Sequence, residues 1–267
     1  MARQPTGPPP PLAVQKLRLR YAKRGRLRFT SHRDIARAFE RALRRAQVPM
    51  AYSAGFSPHP KISWVGAAPT GVASEAEYVE ISVVERVDPE ELRRALDESL
   101  PAGIDIVEVV EAVPAGEPGA GSLPDRIEAS RWGIRLPQVP VEVASLAVAA
   151  FMAAQNLPVE RLMKDGIRTL DARAPVISMS ASGDGGCATL WVVVRHVTPA
   201  VRPDDVLSGL RSVADLVPPV PSEATRYAQG PLTELGEVDD PLAPDRLAMT
   251  TAGVTLAVAD LEAVAGG

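Results

Sequence analysis

Lys16-Leu17-Arg18-Leu19-Arg20-Tyr21 alternates in character, and Ser31-His32-Arg33-Asp34-Ile35-Ala36-Arg37-Ala38-Phe39 follows it after Gly25. The first run has the two-residue period of a strand with Arg and Lys on one face. Gly25 marks a turn, and residues 27–29 continue that strand or pair with it. In the second run, Ser31 and Asp34 have the spacing of a capping box, which satisfies the orphan amides of a helix start. Ile35, Phe39, Ala42, Leu43 and Ala46 recur at helical spacing and form a buried face. Arg33, Arg37, Arg41 and Arg44 step by 4, 4 and 3 along the opposite stripe. Pro49 ends the helix.

Outward from this unit, residues 50–53 read as a short strand, Gly55-Phe56-Ser57-Pro58-His59-Pro60 as a loop, and residues 61–65 and 77–84 as strands. Asp88 caps a helix with Pro89 at its first position and Leu92, Ala95, Leu96 and Leu100 on its apolar side. Residues 104–110 close the series as a strand. The order β-α-β-β-α-β predicts an α+β domain of the ferredoxin-like, split βαβ kind over 15–111. Residues 112–124, rich in Pro, Gly, Ala and Ser, read as a linker. A similar order recurs over 125–230: strand 127–136, helix 141–156, a polar basic segment 161–173, strands 176–181 and 189–197, helix 203–216 and strand 224–229. The expected architecture is therefore two ferredoxin-like domains with disordered termini, a Pro-rich lead over 1–14 and an acidic tail over 231–267. In that tail acids outnumber bases seven to one, and the apolar stretch 254–258 is its candidate docking segment.

Of 267 residues, 46% are hydrophobic and 23% charged, ordinary for a globular protein, while 26 Pro and 20 Gly leave room for linker and tail. A lone Cys187 excludes a disulfide framework, a Cys-based zinc site and an iron–sulfur cluster held by this chain alone. No apolar run reaches the roughly 18 residues of a membrane helix, and the N-terminus lacks the apolar core of a signal peptide, so a cytoplasmic location is expected. No dinucleotide, Walker A or nucleophile-elbow motif is present, and His32, His59, His196 and Cys187 have no metal-ligand spacing; neither cofactor nor metal is expected.

The net charge of −4 hides an asymmetry. Between Lys16 and Lys61 thirteen Lys/Arg face two acids, a local +11 that leaves −15 for the rest of the chain. Such a basic field is the electrostatic footprint of a polyanion partner, although a solvated Arg-rich surface has the same composition. Guanidinium groups grip phosphate bidentately and stack on bases. The expected RNA contacts are Arg18, Arg20, Arg33, Arg37, Arg41, Arg44, Phe56, His59 and Lys61, with Arg26 and Arg28 flanking the helix. Among the interleaved aromatics, Tyr21, Tyr52 and Phe56 are candidates for stacking on unpaired bases, whereas core packing is the reading for Phe39 and Phe29. A further basic segment, Arg161, Lys164, Arg168 and Arg173, either extends that groove or is plain surface.

A catalytic reading stands beside the binding one. His32 or His59 is a candidate base for a 2′-hydroxyl, with Tyr52 nearby in sequence and Lys61 to stabilise phosphorane charge in a metal-independent RNA cleavage. The plainer alternative has His32 at a helix start and His59 in a rigid turn.

The blocks from Lys16 to Asp34, Ala38 to Ala46 and Tyr52 to Ser63 resemble the radical SAM-linked (radical SAM-associated) protein family, a domain of unknown function, with looser likeness at Asp171-Ala172-Arg173 and Thr225-Arg226. The resemblance implies a radical SAM enzyme as partner. This chain has no C-x3-C-x2-C cluster of its own, which implies a stand-alone accessory protein serving tRNA or rRNA modification. The Gly-Phe-Ser-Pro-His-Pro block is also similar to CRISPR RNA-processing endonucleases, which pair two ferredoxin-like folds. A protein adaptor without RNA contact is the remaining alternative.

Overall fold

The computed structural model describes residues 10–163, 166–184 and 186–251. It is a mixed α+β protein with mostly antiparallel strand pairing, divided into two compact units. Unit 1 comprises Met1–Gly71, Glu77–Pro124 and Leu242–Gly267; unit 2 comprises Val72–Ala76 and Asp125–Pro241.

Unit 1 holds β1 (Gln15–Lys23), α1 (His32–Arg45), β2 (Ile62–Val65), the larger part of β3 (Ala73–Val83), α2 (Pro89–Ser99) and β4 (Ile104–Glu111). The strands lie in the order β4-β1-β3-β2. Both caps expected from sequence form. The Ser31 hydroxyl accepts the Asp34 N–H at 3.2 Å and donates to the Asp34 carboxylate at 2.7 Å, and Asp88 accepts the N–H groups of Glu90 and Glu91 at 2.9 Å. Leu17, Leu19 and Tyr21 from β1 pack with Ile35, Phe39 and Leu43 from α1, Leu92 and Leu96 from α2, and Val79 and Ile81 from β3. Gly25 marks a turn as expected, its positive φ of 55° favouring glycine, but residues 27–29, expected to continue or pair with the strand, belong to the 3-10 turn Gly25–Phe29 that it opens. Residues 50–53 are reduced to isolated bridges, Met50 to Val83 and Tyr52 to Pro60.

The second face of β1 departs from expectation. Arg18, on that face, is buried; Lys23, on the side of Leu17, Leu19 and Tyr21, is buried too, with its Nζ 3.2 Å from the Pro69 carbonyl. A helix over 243–251, α5, brings Asp245 onto Arg18: NH1 contacts both Asp245 oxygens at 2.8 Å while Nε donates to Glu80 at 2.8 Å. Asp245 also accepts the Val113 N–H, Arg246 forks onto Glu108, and Leu242 is fully buried. The expected tail is thus ordered structure through residue 251, and the expected linker 112–124 is packed chain with Ala112, Val113 and Leu123 buried. The apolar stretch 254–258 lies outside the described residues.

Unit 2 holds β5 (Ala129–Pro137), α3 (Val141–Ala153), β6 (Pro158–Met163), β7 (Gly166–Asp171), β8 (Val176–Asp184), β9 (Cys187–Arg195), α4 (Pro203–Ala214) and β10 (Glu223–Gly230), together with the first residues of β3. The order is β10-β5-β9-β8, with β6 and β7 paired as a separate hairpin. The segment 161–173, expected as a polar basic stretch, contributes the end of β6 and all of β7 to that hairpin. Arg161 pairs with the buried Asp205, and Arg173 donates to the Val176 and Met152 carbonyls, so both serve the fold. Trp132, Ile134, Leu136, Leu190, Val192 and Val194 form the core against Phe151 of α3 and Leu210 of α4.

His196 is exposed at the end of β9, yet its Nε2 reaches in to lie 2.7 Å from the hydroxyl of the fully buried Ser130. Burial of that end of the ring, reinforced by the nearby Arg226 charge, holds the imidazole below its ordinary value near 6.5. The fold therefore favours neutral His196, and this contribution to stability is complete above the unfolded-state value and lost as pH falls through the lower folded one. Urea midpoints measured between pH 7.5 and 5 should decline on the acid side, and His196→Asn should flatten that decline.

Candidate nucleic-acid interface

Amphipathic spacing orients α1. With Ile35, Ala38, Phe39, Ala42 and Leu43 buried, the opposite side must face water, and Arg33, Arg37, Arg41 and Arg44 are all exposed there. Their own carboxylates do little to neutralise them. Arg37 lies 3.6 Å from Asp34 with both side chains over half exposed, a geometry worth little in water. Arg44 donates through Nε to the Glu40 carbonyl, which lays it along the helix. Arg45, beside it, donates to Ser99 O.

The segment after α1 brings Tyr52 and Pro60 to the end of this stripe. Tyr52 is 41% exposed and, with Arg44, Glu40, Leu43, Met50 and Pro60, lines a small cavity of about 140 Å³. The loop beyond is closed by two bonds: Ser53 N–H to the His59 carbonyl at 2.9 Å, and His59 N–H to the Ser53 hydroxyl at 3.0 Å. At its tip Gly55 adopts a φ of 135°, and Phe56 is 69% exposed. His59 and Lys61 are exposed, Lys61 beside Lys16 and Glu80 at the start of β2.

Several expected positions change role. Arg18 is unavailable to any ligand because its guanidinium is buried between Glu80 and Asp245. Arg20, on the same face of β1, is half-buried and has interactions of its own within the protein. Tyr21 is core, edge-on to Phe39 at 4.9 Å, so it does not stack on bases. Phe29 moves the other way: it is 61% exposed with the Arg28 guanidinium 4.8 Å over its ring, because the 3-10 turn carries it off the sheet. Of the second basic segment, Arg168 is exposed, Lys164 lies outside the described residues, and Arg161 and Arg173 are structural.

His32 is exposed at the start of α1 and sits edge-on to Trp64 at 5.1 Å, a contact that sequence spacing did not disclose because Trp64 comes from β2. Among the described residues no hydrogen bond joins the side chains of His32, His59, Tyr52 and Lys61, and no group of three or more His, Cys, Asp or Glu is arranged to hold a metal ion. No helix among them is long and apolar enough to cross a membrane.

What these features define is a two-unit α+β protein presenting an arginine-lined helix. The chain belongs to a bacterial family, described as an uncharacterized protein conserved in bacteria (DUF2344), whose match spans residues 16–203. No curated protein matches it. Among solved structures it is similar to an unknown protein from Galdieria sulphuraria, 13% identical over 80% of this chain and 99% of that one, with a TM-score of 0.23. It is also similar to DyPB from Rhodococcus jostii RHA1, 13% identical over 79% and 86% at a TM-score of 0.21. The encapsulated DyP-type peroxidase from Mycobacterium smegmatis is 12% identical over 85% and 93% at 0.19. Scores this low carry no argument about function. Family membership agrees with the expected domain of unknown function; the radical SAM and CRISPR likenesses rest on sequence motifs alone.

Proposed function

We propose that this protein is a cytoplasmic RNA-binding accessory protein that grips RNA phosphates with α1 and partners a radical SAM enzyme in tRNA or rRNA modification. The observation that carries the reading is the row Arg33, Arg37, Arg41 and Arg44, exposed together on one helix and ending beside exposed Tyr52, with exposed Phe56 at the tip of the loop that follows Tyr52. Phosphates bind the row, and the rings at its end stack on unpaired bases. The partner comes from the motif resemblance. The strand orders support reading both units as ferredoxin-like: β4-β1-β3-β2 in unit 1 and β10-β5-β9-β8 in unit 2, with the β6–β7 hairpin as an insertion. Loss of Arg18 from the contact set narrows the interface to α1, Tyr52 with the loop 53–59, and Lys61.

Binding of a labelled tRNA, followed by anisotropy from 50 to 300 mM KCl, tests this. If each guanidinium neutralises one phosphate at about 0.7 of a counterion on single strands, Arg37→Ala/Arg41→Ala should reduce the log–log salt slope by about 1.4. A flat salt response of the unsubstituted protein leaves the adaptor role. The endoribonuclease alternative requires cleavage in EDTA that disappears with His32→Ala or His59→Ala.

A further inference from the structure

The sheet of unit 2 buries one face under α3 and α4; on the other, Val193 is buried and residues 235–238 lie alongside, while Arg131, Arg135 and Tyr227 are exposed. Strand alternation sorts the residues: Trp132, Ile134, Leu190 and Val192 point to the core, while Arg131, Gly133, Arg135, Trp191 and Arg195 point out. On the edge strand β8, Ser178, Ser180 and Ser182 point the same way and are exposed. A solvated sheet face is ordinarily covered with long polar side chains. This one carries a ring layer at its centre. The Arg131 guanidinium lies 4.9 Å over the Trp191 ring, Trp191 packs on Tyr227 at 5.1 Å and 55°, and the indole N–H donates to Ser182 at 3.0 Å. Tyr227 is 43% exposed.

Gly133 shows that this layer has a steric requirement. It pairs directly with Trp191 in the middle of the sheet, where glycine weakens a strand. A Cβ there would lie 2.7 Å from the Tyr227 ring and 3.2 Å from the Trp191 ring. The missing side chain is what lets both rings lie across the strand. Beside the layer, Arg131, Ser180, Trp191 and Glu237 line a cavity of about 440 Å³, within the range of small-molecule sites. Arg135 is 3.6 Å from Glu223 with both side chains exposed, a pair that neutralises little, so Arg131, Arg135 and Arg195 keep the surround of the rings cationic, which suits a phosphate backbone.

We infer that this face is a stacking platform for unpaired nucleotides of RNA. Flat aromatic and guanidinium surfaces on the open side of a small antiparallel sheet accept bases through their π-faces, which every base has, and the serine rows offer hydroxyls to base edges. This surface lies on different elements from the α1 arginines and does not require them.

The test uses the full chain and a fluorescein-labelled ten-nucleotide oligouridylate, which has no duplex structure. Trp191→Ala and Tyr227→Ala should each weaken binding by about 5- to 150-fold, the range for loss of one base stack. Trp191→Phe should restore most of it, and Gly133→Ala should weaken it by displacing both rings. Circular dichroism and urea midpoints identify variants that fail to fold; Trp191→Phe keeps the test valid if Trp191→Ala is one of them. Absence of oligouridylate binding by the unsubstituted protein overturns the inference, as does unchanged binding by both alanine variants. A homodimer that dissociates on Trp191→Ala also overturns it, since the face is then a protein interface. Loss of tRNA binding in Arg37→Ala/Arg41→Ala with oligouridylate binding intact overturns nothing here and supports two separate surfaces. The reverse pattern, oligouridylate binding lost in that variant but kept without the rings, sinks the platform and leaves the helix reading standing.

Discussion

Asp245→Ala is expected to destabilise the protein by about 3–5 kcal/mol, the usual result of removing one partner from a buried ion pair. Against a total stability of about 5–15 kcal/mol this is enough to unfold a marginal domain. Two losses combine. Burial alone would push the Arg18 guanidinium below its ordinary value, but the Asp245 and Glu80 carboxylates hold it above; without Asp245 the charge stays buried with one carboxylate, Glu80, and the neutral Gly121 carbonyl. The Val113 N–H also loses its acceptor. Asp245→Asn keeps a carbonyl oxygen for that N–H and should cost less, about 1.5–3 kcal/mol, as for a hydrogen bond to a charged group. The triple replacement Arg18→Met/Glu80→Leu/Asp245→Leu should recover most of the loss, because it removes the charges that must be desolvated. Urea titrations followed by circular dichroism read all three. An unchanged midpoint for Asp245→Ala would falsify the docking of α5 on unit 1.

Phe151→Ala should cost a similar amount in unit 2, about 3–5 kcal/mol for an emptied aromatic site in a core. Phe151 is fully buried in α3, and its ring lies against Gly209 of α4, where a Cβ would come within 2.7 Å of the ring edge. The two helices approach closely because one offers a ring and the other no side chain. Gly209→Ala alone should therefore destabilise by about 1–3 kcal/mol through overpacking. In the Phe151→Ala background its sign should reverse to a gain of about 1 kcal/mol, since the clash is gone and alanine is the better helix former. A double-mutant cycle of urea midpoints measures that reversal directly. Additive effects would mean that the ring and the glycine do not meet.

Much of the secondary structure was legible because it is local. Ser31 and Asp34 three residues apart, Asp88 before Pro89, and arginines opposite apolar positions on α1 each depend on contacts within a turn or two, and each forms as expected. Residues 27–29 are strand by alternation yet 3-10 in the fold, because a two-residue alternation of Arg and Leu suits both, and the turn at Gly25 with its positive φ decides between them. The acidic segment after residue 231 reads as a tail, since no local signal announces a helix whose apolar and ionic partners lie on another strand.

Alternation within β1 is enough to establish that Arg18 points away from Leu17 and Leu19, and helical spacing is enough to place Arg33, Arg37, Arg41 and Arg44 on a single side of α1. Both follow from backbone periods of 2 and 3.6 residues, which the chain carries wherever it folds. Whether a given guanidinium then meets water or a carboxylate depends on chain 227 residues away in the case of Arg18 and Asp245. Only the tertiary structure could separate the buried arginine from the exposed four, and only it could set Trp191 and Tyr227 side by side over Gly133. Burial and pairing are properties of elements brought together, and no local stretch of sequence contains both partners.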